Sequence, residues 1–105
     1  VLITAISNDF GFEYCFSRQL EAKATENDIL IVLTTSGISP NIIEAVKKAT
    51  EIGMKTISFT GKSPSILDTI STHTIKIDSK DTPRIQECHM LLGHILCEEI
   101  ENAFI

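Results

Sequence analysis

Four hydroxyl side chains crowd one short stretch: Thr34, Thr35, Ser36 and Ser39, with Gly37 and Ile38 between them. They follow the apolar run Ile29-Leu30-Ile31-Val32-Leu33 and lead into a helical pattern. A helix start exposes backbone N–H groups without intrahelical partners, and it carries the positive end of the helix dipole. An anion placed there meets several donors at once. Gly37 lets the backbone come close with no Cβ in the way. Such a loop can hold a phosphate without arginine, and arginine is scarce here: Arg18 and Arg84 are the only two. The competing reading is plainer. Ser39 or Asn41 would cap the following helix and the remaining hydroxyls would be solvated.

The last helical stretch holds a second set of candidates. Ile85, Cys88, Leu92, Ile95 and Leu96 form an apolar stripe, while Gln86, Met90, Gly93 and Cys97 share another face that His94 borders. A glycine inside a helix costs roughly 1 kcal/mol against alanine. Gly93 therefore suggests something packed against the backbone, with Gln86 and His94 flanking a pocket it floors. Alternatively His94 is a packed or surface histidine. His89 falls on a different side and is read as structural. Spacing alone makes no metal site: Gln86 and His94 lie eight residues apart, about 12 Å along a helix axis. Asp9 follows Asn8 beside Gly11. Its carboxylate could bind sugar hydroxyls or cap a helix starting at Phe12.

These residues need elements to place them. Ile29–Leu33 is short, continuous and β-branched, the pattern of a strand buried on both faces. From Asn41 to Ile52 the apolar residues recur at helical spacing, and Gly53 stands where a helix stop belongs. Lys55–Thr60 reads as a second strand, Ser65–Ser71 as a short helix and Thr74–Ile77 as a third strand. A last helix runs from Thr82 or Pro83 to the C-terminus. Val1–Ser7 has the composition of a strand, Asn8–Gly11 reads as a turn and Phe12–Ala24 as a helix. Strands alternating with helices imply an α/β fold with a parallel sheet flanked by helices. In such sheets ligands sit beyond the carboxyl ends of the strands. Here those ends are Thr34–Asn41, Thr60–Pro64 and Asp78–Arg84.

Composition narrows the function classes. A chain of 105 residues, 43% hydrophobic, makes one domain at most. A net charge of −5 argues against a nucleic-acid surface. No apolar run approaches the roughly 20 residues that span a membrane, and no signal-peptide pattern is present. Cys15, Cys88 and Cys97 have no C-x-x-C spacing, so they read as three buried apolar thiols in a reducing cytosol. Gly61-Lys62-Ser63 has the end of a nucleotide-binding P-loop, but the glycine required five positions earlier is Thr56. The chain starts at Val1 rather than methionine, which reads as an excerpt whose N-terminal portion lies upstream or, equally, as trimming during maturation.

Taken together, Asn8-Asp9-Phe10-Gly11-Phe12, Phe16-Ser17-Arg18-Gln19, the T-T-S-G-x-S loop, and Arg84-Ile85-Gln86-Glu87 with His94 resemble the phosphoheptose isomerases. These are SIS-domain enzymes, and the match runs in order along nearly the whole chain. The resemblance implies a three-layer SIS-type, flavodoxin-like fold. It implies conversion of sedoheptulose 7-phosphate to D-glycero-D-manno-heptose 7-phosphate through an enediol, the entry to nucleotide-heptose synthesis. It also implies a cytoplasmic homotetramer with zinc and with sites between subunits. On it, Asn8 and Asp9 match substrate contacts, and Thr34, Thr35, Ser36 and Ser39 match a phosphate loop. Gln86 matches a residue touching substrate and zinc, and His94 a zinc ligand and acid/base group. The family's glutamate base and other zinc ligands are expected upstream of Val1, and Val1–Ser7 becomes a helical or irregular lead-in. Thr34 departs from the usual serine, and Ile38 from the usual asparagine. The alternative is a non-catalytic relative: a regulator like the DnaA-initiator-associating protein, which is similar through His89-Met90-Leu91, or a sugar-phosphate sensor.

Overall fold

In a computed structural model covering residues 1–105, the β-branched runs become three parallel strands: β1 (Ile29–Leu33), β2 (Lys55–Thr60) and β3 (His73–Lys76). Their order is β1-β2-β3. Register pairs Val32 with Ser58 and Leu33 with Phe59, then Ser58 with Thr74 and Phe59 with Ile75. Around them lie α1 (Leu2–Phe10), a 3₁₀ turn (Phe12–Tyr14), α2 (Ser17–Lys23), α3 (Pro40–Ile52), α4 (Leu67–Ile70) and α5 (Thr82–Ala103). The α/β fold read from the sequence is the one observed, with most bounds within a residue or two.

Each boundary has a local cause. Pro40 opens α3, where a missing N–H costs nothing, and Gly53 closes it in the left-handed conformation at φ 94°. Pro83 sits likewise in the first turn of α5. The N-terminal segment departs from its composition. Within Val1–Ser7 the chain is helical from Leu2 on, as the family resemblance implies and the strand reading does not. Asn8–Phe10 complete α1 instead of forming a turn, and Gly11 ends it at φ 109°. The Phe12–Ala24 pattern breaks at Cys15-Phe16 into the 3₁₀ turn and α2.

One face of the sheet is well covered. Val32, Val46 and Leu67 form its core, with Leu30, Ile42, Ile43 and Ile70 packed around them. The hydroxyls that β2 turns into this face are paired rather than orphaned. Ser58 meets Ser71 at 2.6 Å, and Thr56 exchanges backbone–side-chain bonds with Thr72, each 2.9 Å.

The other face is mostly open, so β1 is not buried on both sides. Ile29, Ile31 and Leu33 are 61%, 40% and 50% exposed. The reason is topological. β1 is an edge strand, and α5 touches the sheet only through its first turns, where Ile85 and His89 are buried. An apolar groove of about 630 Å³ runs along β1 against Phe16, Leu20 and Ala24 of the α2 region. The cysteines are free but unlike one another: Cys15 is buried, Cys88 intermediate and Cys97 exposed, which corrects the reading of three buried thiols.

Candidate functional site

The hydroxyl loop begins where β1 leaves the sheet. The Thr34 N–H donates to the Phe59 carbonyl at 3.0 Å, extending the ladder by one bond. Its side chain is buried and accepts the Gly37 N–H at 3.2 Å. Gly37 takes φ 72°, a conformation that only glycine adopts freely. The next peptide repeats the pattern: the Ile38 N–H donates to Ser36 Oγ at 3.3 Å. A hydroxyl that accepts a backbone N–H keeps its own proton to give. Thr34 and Ser36 are thus held by the loop and left as donors.

Ser39 occupies the N-cap position of α3, but its side chain caps nothing. Its carbonyl takes the N–H groups of Ile42 and Ile43, and Asn41 Oδ1 takes the Ile42 N–H at 2.9 Å. The cap reading thus gains no support at Ser39, while at Asn41 the side chain does take a first-turn N–H.

A cavity of about 550 Å³ lies over this loop, lined by Thr34, Thr35, Ser39, Asn41, Gln86 and His89 among others. No charged carboxylate, lysine or arginine lines it. The field it feels from the protein is that of the α3 N-terminus, positive and fixed. Arg18 and Arg84 are engaged elsewhere, with Glu21 at 3.7 Å and Glu87 at 2.7 Å. The site can therefore take an anion by hydrogen bonds and a helix dipole, without a cationic clamp.

The sequence-derived candidates divide into groups. Thr34, Thr35, Ser39 and Gln86 meet at the cavity, while Ser36, on the same loop, is exposed and does not line it. Asn8 and Asp9 do not reach it. They sit at the end of α1, no residue of which is buried, and Asn8 Nδ2 donates to Asp9 Oδ1 at 3.1 Å. Nor does Asp9 cap the Phe12 turn, whose cap position is Gly11 and carries no side-chain bond. His94 is exposed on α5 and does not line the cavity. Nothing lies within 4 Å of where a Gly93 Cβ would stand, so the pocket floor expected there is not built by this chain.

Two polar lining residues, Asn41 and His89, are not among the contacts read from the sequence. Asn41 follows Pro40 in the first turn of α3. His89 is 3% exposed, donates from Nε2 to the Thr60 carbonyl at 3.0 Å and leans on Phe59 with centroids 5.8 Å apart. That is the structural role read for it, yet its ring also closes one wall. The spacing Gln86–His89 held the signal, because residues three apart on a helix are neighbours.

Zinc does not find a set of ligands among these residues. No three His, Cys, Asp or Glu side chains converge, whereas zinc ordinarily takes about four ligands. Gln86 and His94 together supply at most two.

Comparison with known proteins then places the chain. The SIS domain family matches residues 2–61. A phosphoheptose isomerase of Campylobacter jejuni strain 81116 is 47% identical over 102 residues, which are 97% of this chain and 55% of that protein. One from Aquifex aeolicus is 47% identical over 101 residues, 96% of this chain and 53% of its own length. Among solved structures, a phosphoheptose isomerase from Neisseria gonorrhoeae superposes with a TM-score of 0.90 at 40% identity, covering 94% of this chain and 56% of that one. Another, from Francisella tularensis, gives 0.88 at 40% identity over 92% and 52%. The chain thus spans about half the length of the relatives it matches.

Proposed function

This chain belongs to the SIS domain family, and from that premise we propose that it forms part of a sugar-phosphate aldose–ketose isomerase. The substrate we propose is sedoheptulose 7-phosphate, and the product D-glycero-D-manno-heptose 7-phosphate, on the way to nucleotide-heptose. The observation that carries this reading is the cavity itself. Hydroxyl donors and a helix N-terminus converge there with Gln86 and with no charged side chain. Relatives 47% identical over nearly the whole of this chain are named phosphoheptose isomerases.

In this reading Thr34, Thr35, Ser36 and Ser39 bind the phosphate, a group carrying about −1.5 to −2 charges at neutral pH. The hydroxyl protons and the unpaired N–H groups of the α3 start meet its oxygens. The phosphate anchors the sugar, and Gln86, one face of whose amide donates while the other accepts, orients a hydroxyl or carbonyl near the reacting carbons. Isomerisation moves a proton between neighbouring carbons and another between their oxygens, through an enediol. An imidazole ring has one nitrogen that can accept a proton and another that can donate one, which suits such transfer, a role we assign to His94. Asn8 and Asp9 would bind sugar hydroxyls.

His94, Asn8 and Asp9 stand away from the cavity in the single chain. They would serve a site shared between subunits of a homotetramer, with further groups supplied by the part of the relatives' length that this chain does not span. Zinc, where bound, would take Gln86 and His94 together with donors from outside this chain, and would polarise a substrate carbonyl. The setting proposed is cytoplasmic; no helix here is long and apolar enough to cross a membrane.

Replacing His94 by Asn in the full-length protein tests the reading. Turnover of sedoheptulose 7-phosphate should vanish while sugar-phosphate binding, followed by calorimetry, persists. Undiminished turnover would remove His94 from the mechanism. A wild-type protein that binds the sugar phosphate without converting it would be a sensor, and one that instead binds the initiator DnaA would be a regulator.

A further inference from the structure

The Gly37 carbonyl, at the bend of the hydroxyl loop, accepts a hydrogen bond from Ser65, a residue of the β2–α4 connection 28 positions away. The contact is close on the carbon side as well: a Cβ built on Gly37 would stand 2.8 Å from Ser65 Cβ. The same Ser65 hydroxyl accepts the Leu67 N–H at 3.0 Å, so it bridges the loop to the start of α4. Its backbone N–H donates to Asp68 Oδ2 at 3.1 Å. Asp68 is gripped by Lys76 Nζ at 3.0 and 3.1 Å, and Lys76 also donates to the Ser63 carbonyl at 2.9 Å. Ser65 is therefore anchored to β3 as well as to α4.

The carbonyl that Ser65 holds belongs to the peptide joining Gly37 to Ile38. A peptide unit is planar and trans, so fixing its C=O fixes its N–H in the opposite direction. That N–H is the one that Ser36 Oγ accepts. Without the Ser65 bond this peptide could rotate about the Gly37 dihedrals, which are the least restricted in the loop. Ser36 would then lose the partner that aims its proton outward.

We infer that Ser65 is a positioning residue for anion binding, acting through the Gly37–Ile38 peptide to hold the Ser36 hydroxyl in its donor orientation. Ser65 itself touches no ligand. The inference rests on the sugar-phosphate reading above, and it concerns binding rather than the chemical step.

Ser65→Ala in the full-length protein is the test, with steady-state turnover of sedoheptulose 7-phosphate and calorimetric titration with inorganic phosphate as readouts. The loss of one neutral hydrogen bond corresponds to a rise of about 3- to 10-fold in KM and in the phosphate Kd. kcat should stay within about twofold, since the bond is equal in ground and transition states. Should Ser65→Ala fail to fold, Ser65→Cys, with its weaker donor, carries the same two measurements. Unchanged KM and phosphate Kd in a folded variant would overturn the inference, as would a fall in kcat with KM unmoved. A wild-type protein that binds neither phosphate nor sugar phosphate would defeat the functional reading instead, so the two failures are distinct.

Discussion

A methyl group added at Gly61 has nowhere to go. Its Cβ would stand 2.7 Å from Ile85 Cδ1, 2.8 Å from the Thr35 carbonyl oxygen and 3.2 Å from that of Ser79. The isoleucine tip can turn aside, but the two backbone oxygens cannot. Gly61 is thus where the hydroxyl loop, the approach to α5 and the end of β2 come together. Gly61→Ala should destabilise the protein by roughly 1–3 kcal/mol, the usual range for overpacking. Urea denaturation would read it as a lower midpoint with an unchanged slope, and an unshifted midpoint would contradict the contact. In the sequence this glycine looks like part of a failed P-loop. Its role is visible only when strands far apart in sequence deliver their ends to one place. The loop hydroxyls are the opposite case. Thr34, Thr35, Ser36 and Ser39 were legible because a parallel strand followed by a helix always brings its connecting loop to the same edge. Asp9 and His94 are candidates by local spacing and take their substrate and acid/base roles from the resemblance, and the single chain does not bring them to the cavity.

The short α4 is fastened by charge. Lys76 holds Asp68 below its ordinary pKa of 3.8, chiefly through their hydrogen bond, with the Ser65 N–H adding to the effect. A carboxyl whose folded pKa is depressed stabilises the fold above its unfolded pKa, and that contribution drains away as pH falls through the folded value. Lys76→Met should therefore lower the melting temperature at pH 7, with the gap to wild type narrowing as the pH drops below about 4. A gap that is constant down to pH 3 would mean the lysine acts by packing alone. Both side chains are about one third exposed, so the effect is modest. The spans of α3, β2 and α5 follow from apolar period, Pro and Gly and were readable as such. Val1–Ser7 misled because β-branched composition is a weak guide where no sheet neighbour exists to receive it.

Across the whole molecule, large apolar side chains stand exposed on several elements. Ile29, Ile31 and Leu33 lie open on one sheet face, and Met90, Leu91, Ile95 and Ile100 are exposed along α5. Exposed apolar side chains of this kind are what the subunit contacts proposed above would cover. Leu91→Lys in the full-length protein should lower the assembled mass seen by sedimentation equilibrium and leave the circular dichroism unchanged. An unaltered mass would place the subunit contacts away from α5. From Ile29 onward, strand and helix identities, the parallel sheet and the place of the hydroxyl loop were determined by the sequence itself, because each rests on local period and on punctuation by Gly and Pro. Tertiary structure alone decided the rest: β1 is an edge strand with one bare face, His89 is a wall of the cavity, and Ser65 reaches Gly37 across 28 residues. These depend on which segments meet after the chain has closed long loops, and no local pattern encodes that.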